Sequence, residues 1–166
     1  MKSVTMVLKL AVLVSAVAMS ASVAAGGTTS LTVNAKISGL CKVTAAPATL
    51  DFGTIDPSGV ANATATTTFT MKCSNGTTST AATDDSGLNF SGGTKRMQHS
   101  ATGTAYLPYA IAYSNDTGFA GAGFGGAAAS QTVTIDGTIT PAQYAGALAT
   151  TGAQVYADTV TITVNP

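Results

Sequence analysis

The sequence TSLTVNAKIS occupies residues 29–38. Leu31, Val33, Ala35 and Ile37 alternate there with Ser30, Thr32, Asn34, Lys36 and Ser38. A period of two gives a strand one apolar face and one wet face. Its place in the chain is unusual. It follows a stretch with the marks of a secretion signal and runs straight into Gly39 and Cys41. An apolar strand at the start of an exported chain needs a groove to lie in. That groove can belong to its own domain, as the first strand of a complete fold, or to another copy. Alternation alone weighs the two equally.

The stretch before it, residues 1–25, carries Lys2 and Lys9 and then the apolar run LAVLVSAVAMSASVAA. The run is too short for a comfortable membrane span, so a retained anchor is the weaker reading. Val23 and Ala25 fit the small-residue positions of a signal-peptidase site. The expected organisation is a signal over 1–25, a strand extension over 26–38 and a single domain over 39–166. The whole chain has 166 residues, which suits one domain.

Charge is scarce. Beyond residue 25 the bases are Lys36, Lys42, Lys72, Lys95 and Arg96. The acids are Asp51, Asp56, Asp84, Asp85, Asp116, Asp136 and Asp158, and the chain has no Glu. Nothing here tracks a phosphate backbone, so nucleic acid is not an expected partner. A poorly charged surface suits a protein packed against copies of itself. Cys41 and Cys73 are the only cysteines. In an exported chain they read as one disulfide, with separate thiols or a metal pair as the alternatives. Closing that loop should stabilise the fold by roughly 3–4 kcal/mol.

Nearly every readable segment is a strand. Ala63, Ala65, Thr67, Phe69, Met71 and Cys73 face one way, and Thr64, Thr66, Thr68, Thr70 and Lys72 the other. Leu107, Tyr109, Ile111 and Tyr113 make a second row. Pro108 lacks a ladder donor and marks that strand as an edge or as interrupted. Val133, Ile135, Gly137 and Ile139 make a third. One helical turn is expected at Pro141-Ala142-Gln143-Tyr144. A final strand is expected over 156–164, with Val160, Ile162 and Val164 on its core face. Asp56-Pro57-Ser58-Gly59, Asn75-Gly76 and Asp84-Asp85-Ser86-Gly87 read as turns. Short alternating strands, abundant Thr and frequent Gly argue an all-β sandwich.

Catalytic chemistry has little to work with. His99 is the one imidazole, in a polar stretch that reads as an exposed loop. Gly121 to Gly126 lacks the Lys-Ser/Thr that follows a phosphate cradle. Asp84, Asp85 and Asn89 lack the spacing of a calcium loop and read as a solvated turn. No catalytic residue, metal site or cofactor is expected.

Taken together, several stretches resemble the spore coat protein U domain, which includes subunits of archaic, Csu-type chaperone–usher pili. The carrying residues are the alternating strand running into Cys41, Leu50-Asp51-Phe52-Gly53, Met71-Lys72-Cys73, Arg96-Met97 and Leu107-Pro108-Tyr109. Gly121-Ala122-Gly123-Phe124-Gly125-Gly126, Ile139-Thr140-Pro141-Ala142-Gln143 and the closing Tyr156-Ala157-Asp158-Thr159-Val160-Thr161-Ile162-Thr163-Val164 complete it. The resemblance implies an incomplete immunoglobulin-like sandwich that lacks its last strand. A donor strand carrying Leu31, Val33, Ala35 and Ile37 would complete a neighbouring copy, with a hinge at Ser38, Gly39 and Leu40. The implied partners are other copies of the chain, a periplasmic chaperone, an outer-membrane usher and a tip adhesin. The implied setting is a surface pilus used in adhesion and biofilm. Alternatives are a secreted or tip-located adhesin and a spore or cyst coat protein.

Overall fold

A computed structural model describes residues 26–166. The expected secretion signal, residues 1–25, lies outside them. The chain divides into two units, Met1–Ala35 and Lys36–Pro166. In the first, the described residues 26–35 form no hydrogen-bonded strand, and Leu31, Val33 and Ala35 are exposed.

The second unit is all-β. Its elements among the described residues are β1 (Cys41–Ala45), β2 (Ala63–Cys73), β3 (Thr83–Asp84), β4 (Lys95–His99), β5 (Tyr106–Ser114), β6 (Gln131–Ile139), α1 (Pro141–Tyr144), β7 (Tyr156–Ala157) and β8 (Ile162–Thr163). One antiparallel sheet has the order β1-β2-β6-β5-β4-β7, and β3 pairs with β8 in a second. A full layer thus faces a partial one, the form of an incomplete immunoglobulin-like sandwich.

The long strands follow their side-chain period. Ala65, Thr67, Phe69, Met71 and Cys73 of β2 are buried, while Thr64, Thr66 and Thr68 are exposed. Thr67 is polar and buried, and its Oγ1 donates to the Ala48 carbonyl at 3.2 Å. That bond offsets the cost of taking a hydroxyl out of water. On β6, Val133, Ile135, Gly137 and Ile139 are buried in turn. Gly137 is small because Leu50 and Phe52 lie on it. A Cβ there would stand 2.6 Å from Phe52 Cζ and 2.8 Å from Leu50 Cδ2. Gly137→Ala is expected to lift the 47–55 segment and cost about 1–3 kcal/mol, the usual penalty of overpacking, as measured by chemical denaturation. At the sheet's edge Cys41 and Cys73 are direct partners across β1 and β2 and form a disulfide, with an S–S distance of 1.98 Å.

Three expectations change. First, β5 is not an edge strand, since it lies between β4 and β6. The β4–β5 ladder runs on through Pro108, and it is the pairing with β6 that is missing there. His99 N–H donates to the Ala105 carbonyl at 2.9 Å, which sets the alternation of the β4–β5 ladder. Arg96–Pro108 is then a non-hydrogen-bonded pair. The proline nitrogen faces the β6 side, where pairing already stops at Ala110–Thr138. Second, residues 156–164 are not one strand. β7 pairs with β4 and β8 with β3, so the run changes sheets between them. Asp158 turns inward at the crossing, to the Tyr109 hydroxyl and to Asn89. Third, His99 is buried, at 2 % exposure, rather than in an exposed loop. Its Nδ1 accepts from Ala101 N–H at 3.2 Å, and its ring meets Tyr156 edge-on at 5.0 Å. The polar neighbours that suggested a loop point outward from the end of β4.

Candidate functional site

A domain of this size normally has one contiguous core. This one has two clusters. Phe69, Met71, Val133 and Ile135 form the first, with Leu50, Ile162 and Val164 against it. Leu107, Tyr109, Ile139 and Tyr144 form the second, with Phe52, Ile55, Met97, Tyr156 and Val160 against it. Ile111 packs against both and is itself only half-buried.

Above that junction runs a groove of about 1040 Å³. Thr67, Met97, Leu107, Tyr109, Ile111, Ile135 and Ile139 lie among its lining. So do the 47–55 segment, residues 147–150 and the run 154–162 apart from Thr161. The bounding segments run in opposite senses. The 47–55 segment passes from the first cluster at Leu50 to the second at Phe52 and Ile55, and the terminal run returns from Tyr156 to Val164.

The terminal run has one paired edge. Asp85 N–H donates to Thr161 O at 3.1 Å, Leu88 N–H to Thr159 O at 3.1 Å, and Thr83 pairs with Thr163. Antiparallel alternation therefore turns the backbone groups of Val160, Ile162 and Val164 toward the other edge. No backbone partner meets them there among the described residues. Their side chains face inward, half-buried, as the sequence period implies. The site thus combines an apolar floor, two boundaries and a free strand edge.

The Spore Coat Protein U domain matches residues 27–163. That span covers nearly all of the described chain. The chain belongs to the Spore Coat Protein U domain family. This is the domain of Csu-type chaperone–usher pilus subunits, so the protein is a structural subunit of pilus or coat type. Membership in the Spore Coat Protein U family implies an extracellular or surface setting. Among curated proteins, none matches the chain.

The residues expected to form the donor strand and hinge take distinct places in this Spore Coat Protein U chain. Leu31 is 85 % exposed, Val33 81 % and Ile37 93 %, an exposed apolar row. Ser38, Gly39 and Leu40 are tied to the turn after β2. Ser74 N–H donates to Leu40 O at 2.8 Å, and Ser74 Oγ lies 3.3 Å from both Ser38 O and Leu40 O. A Cβ on Gly39 would stand 3.0 Å from Thr77 Oγ1, so glycine serves close approach at this point rather than a left-handed backbone.

Sequence reasoning missed a polar network beside the groove. Asp84 accepts from Lys95 Nζ, from Ser86 N–H at 2.8 Å and from the Tyr113 hydroxyl at 2.9 Å. It is therefore engaged in the fold and not in a solvated turn. Burial pushes its carboxyl up, but the Lys95 ammonium and the two other donors outweigh that and hold it below the ordinary carboxylate value. Such a group stabilises the fold above its unfolded pKa, about 3.9, and the contribution is lost as pH falls through the lower folded value. Thermal stability is expected to hold level from pH 7 to 5 and to drop below about pH 4. Melting curves should show Asp84→Asn with a shallower acid limb. A signal for this network existed in the alternation: Tyr109 and Tyr113 sit on the inward row of β5, where a phenol needs a partner.

Proposed function

We propose that the groove is the acceptor for the strand Leu31–Val33–Ala35–Ile37 of another copy, and that subunits polymerise through it into a surface pilus serving adhesion and biofilm. The observation that carries this is the free edge at Val160, Ile162 and Val164, beside a core split in two. Strand addition supplies what each lacks: main-chain partners for the edge and alternate side chains for the gap. An open edge over exposed core is otherwise an aggregation hazard. A periplasmic chaperone would cover it during export, and an outer-membrane usher would exchange chaperone for strand. On this reading 26–38 is the donor extension and 39–166 the acceptor domain.

Electron microscopy and immunolabelling of sheared cell-surface material test the proposal. Fibres that contain this chain are expected. The chain found only as soluble monomer, or only in a spore or cyst coat, would overturn it. On this reading the link between subunits is the expected hinge at Ser38, Gly39 and Leu40, and the bonds from Ser74 stiffen it. Ser74→Ala removes the hydroxyl contacts to Ser38 and Leu40. Fibres of that variant are expected at normal yield but with a shorter persistence length, measured on micrographs.

A further inference from the structure

The terminal run is bonded along one edge only, to β3 and the residues flanking it and, for two residue pairs, to β4. Its other edge must stand at a constant distance from the sheet if a strand is to enter. Two tyrosines of β5 reach from the full layer to the partial one. Tyr109 Oη donates to Asp158 Oδ2 at 2.7 Å, and Tyr113 Oη donates to Asp84 Oδ2 at 2.9 Å. Asp158 lies on the terminal run, and Asp84 lies on β3, its ladder partner. The two carboxylates have further partners. Asn89 donates to Asp158 through N–H at 3.2 Å and Nδ2 at 3.1 Å, and Lys95, from β4 beside the tyrosines, binds Asp84. Gly87, at φ 87°, gives Asp158 room, because a Cβ there would collide with its carboxylate. Burial first, then these carboxylates, keeps both phenols well above their usual pKa, so each remains a donor through the physiological range.

We propose that Tyr109 and Tyr113 are positioning residues for strand acceptance: struts that keep the free edge of Val160, Ile162 and Val164 in place while the groove is empty. This rests on the acceptor-groove reading above. Once a strand has entered, its own hydrogen bonds and side chains join the two layers, and the struts become redundant. A merely structural tie would matter equally in both states. The two roles therefore separate by state, through local opening of the terminal run.

The test uses the full exported chain carrying Val33→Asp, which keeps the groove free of its own donor, and a synthetic peptide of residues 26–38 as probe. Amide exchange is measured at Asp85, Leu88 and Thr161, whose N–H groups are bonded across the paired edge of the terminal run, with and without saturating peptide, and peptide association is followed by fluorescence anisotropy. Tyr109→Phe and Tyr113→Phe, made singly and together, are compared with Tyr106→Phe, whose hydroxyl bonds Gly103 and Gln98 instead. Exchange in the empty protein is expected to rise about tenfold per strut, as for loss of one charge-assisted hydrogen bond. Peptide association should slow by a similar factor, with exchange in the peptide-bound protein unchanged. Equal increases in both states, or association unchanged in every variant, would overturn the proposal. If the peptide binds none of these proteins, the acceptor reading fails by itself. The role in strand acceptance falls with it, and exchange in the empty protein then shows only whether the two tyrosines are structural ties: a rise confined to their variants says they are, and no rise removes even that. Should the double variant not fold, either single variant carries the same comparison.

Discussion

Val33→Asp is expected to abolish polymerisation. The residue is exposed in its own chain, so the substitution leaves the domain's core and sheets untouched. In the proposed joint, Val33 enters a groove floored by Leu107, Ile111, Ile135 and Ile139. An aspartate there carries a charge into apolar surroundings with no partner, at a cost of several kcal/mol. It also forfeits the roughly 1.5–3 kcal/mol that burial of a valine supplies. Together these terms shift the joint's equilibrium by several orders of magnitude. Thr32→Asp is the matched control, since Thr32 lies on the wet face and should assemble normally. Polymer content is read from gels run without heating. Normal ladders from Val33→Asp would show that the strand belongs elsewhere, and donor-strand exchange would fall with them.

Moving the strand to the other end of the chain should have the opposite effect. Residues 26–37 deleted from the front and joined behind Pro166 through a flexible linker are expected to fill the molecule's own groove. The terminal run ends beside the groove's free edge. The Asn165 carbonyl there accepts from Thr80 N–H at 3.0 Å, which anchors the end from which the linker starts. Burying Leu31, Val33 and Ile37 contributes roughly 1.5–3 kcal/mol each, and ladder bonds about 1 kcal/mol apiece. The product should be a monomer melting on the order of 15 °C or more above the chain with an empty groove. Calorimetry beside size-exclusion chromatography checks both halves. A grafted chain that melts no higher, or that still polymerises, would sink the groove as the strand's destination.

Most of the fold was legible because a strand writes its buried face into every second residue. The rows on β2, β5 and β6 needed no partner to be recognised. Val160, Ile162 and Val164 were legible in the same way, and so was the helical turn at Pro141. What alternation cannot carry is pairing. It says which face of a strand is inward, not which strand lies beside it. Pro108 was thus compatible with an edge or an interrupted ladder until β6 was seen to end opposite it. The run 156–164 read as one strand because its side-chain period continues through the point where the backbone changes partners. His99 reads as exposed from its polar neighbours, but its burial depends on Tyr156, more than fifty positions away.

The sequence by itself determined the all-β class, the inward rows, the cysteine pair and the apolar alternation of residues 29–38, because each depends on residue type and local period. Only the tertiary structure decided that the core is divided, that the edge of the terminal run stands free, and that Tyr109 and Tyr113 reach Asp158 and Asp84. These are relations between segments distant in the chain. Hydrogen-bond partners and core contacts are set by how layers pack, and no local pattern of residues encodes a gap between them.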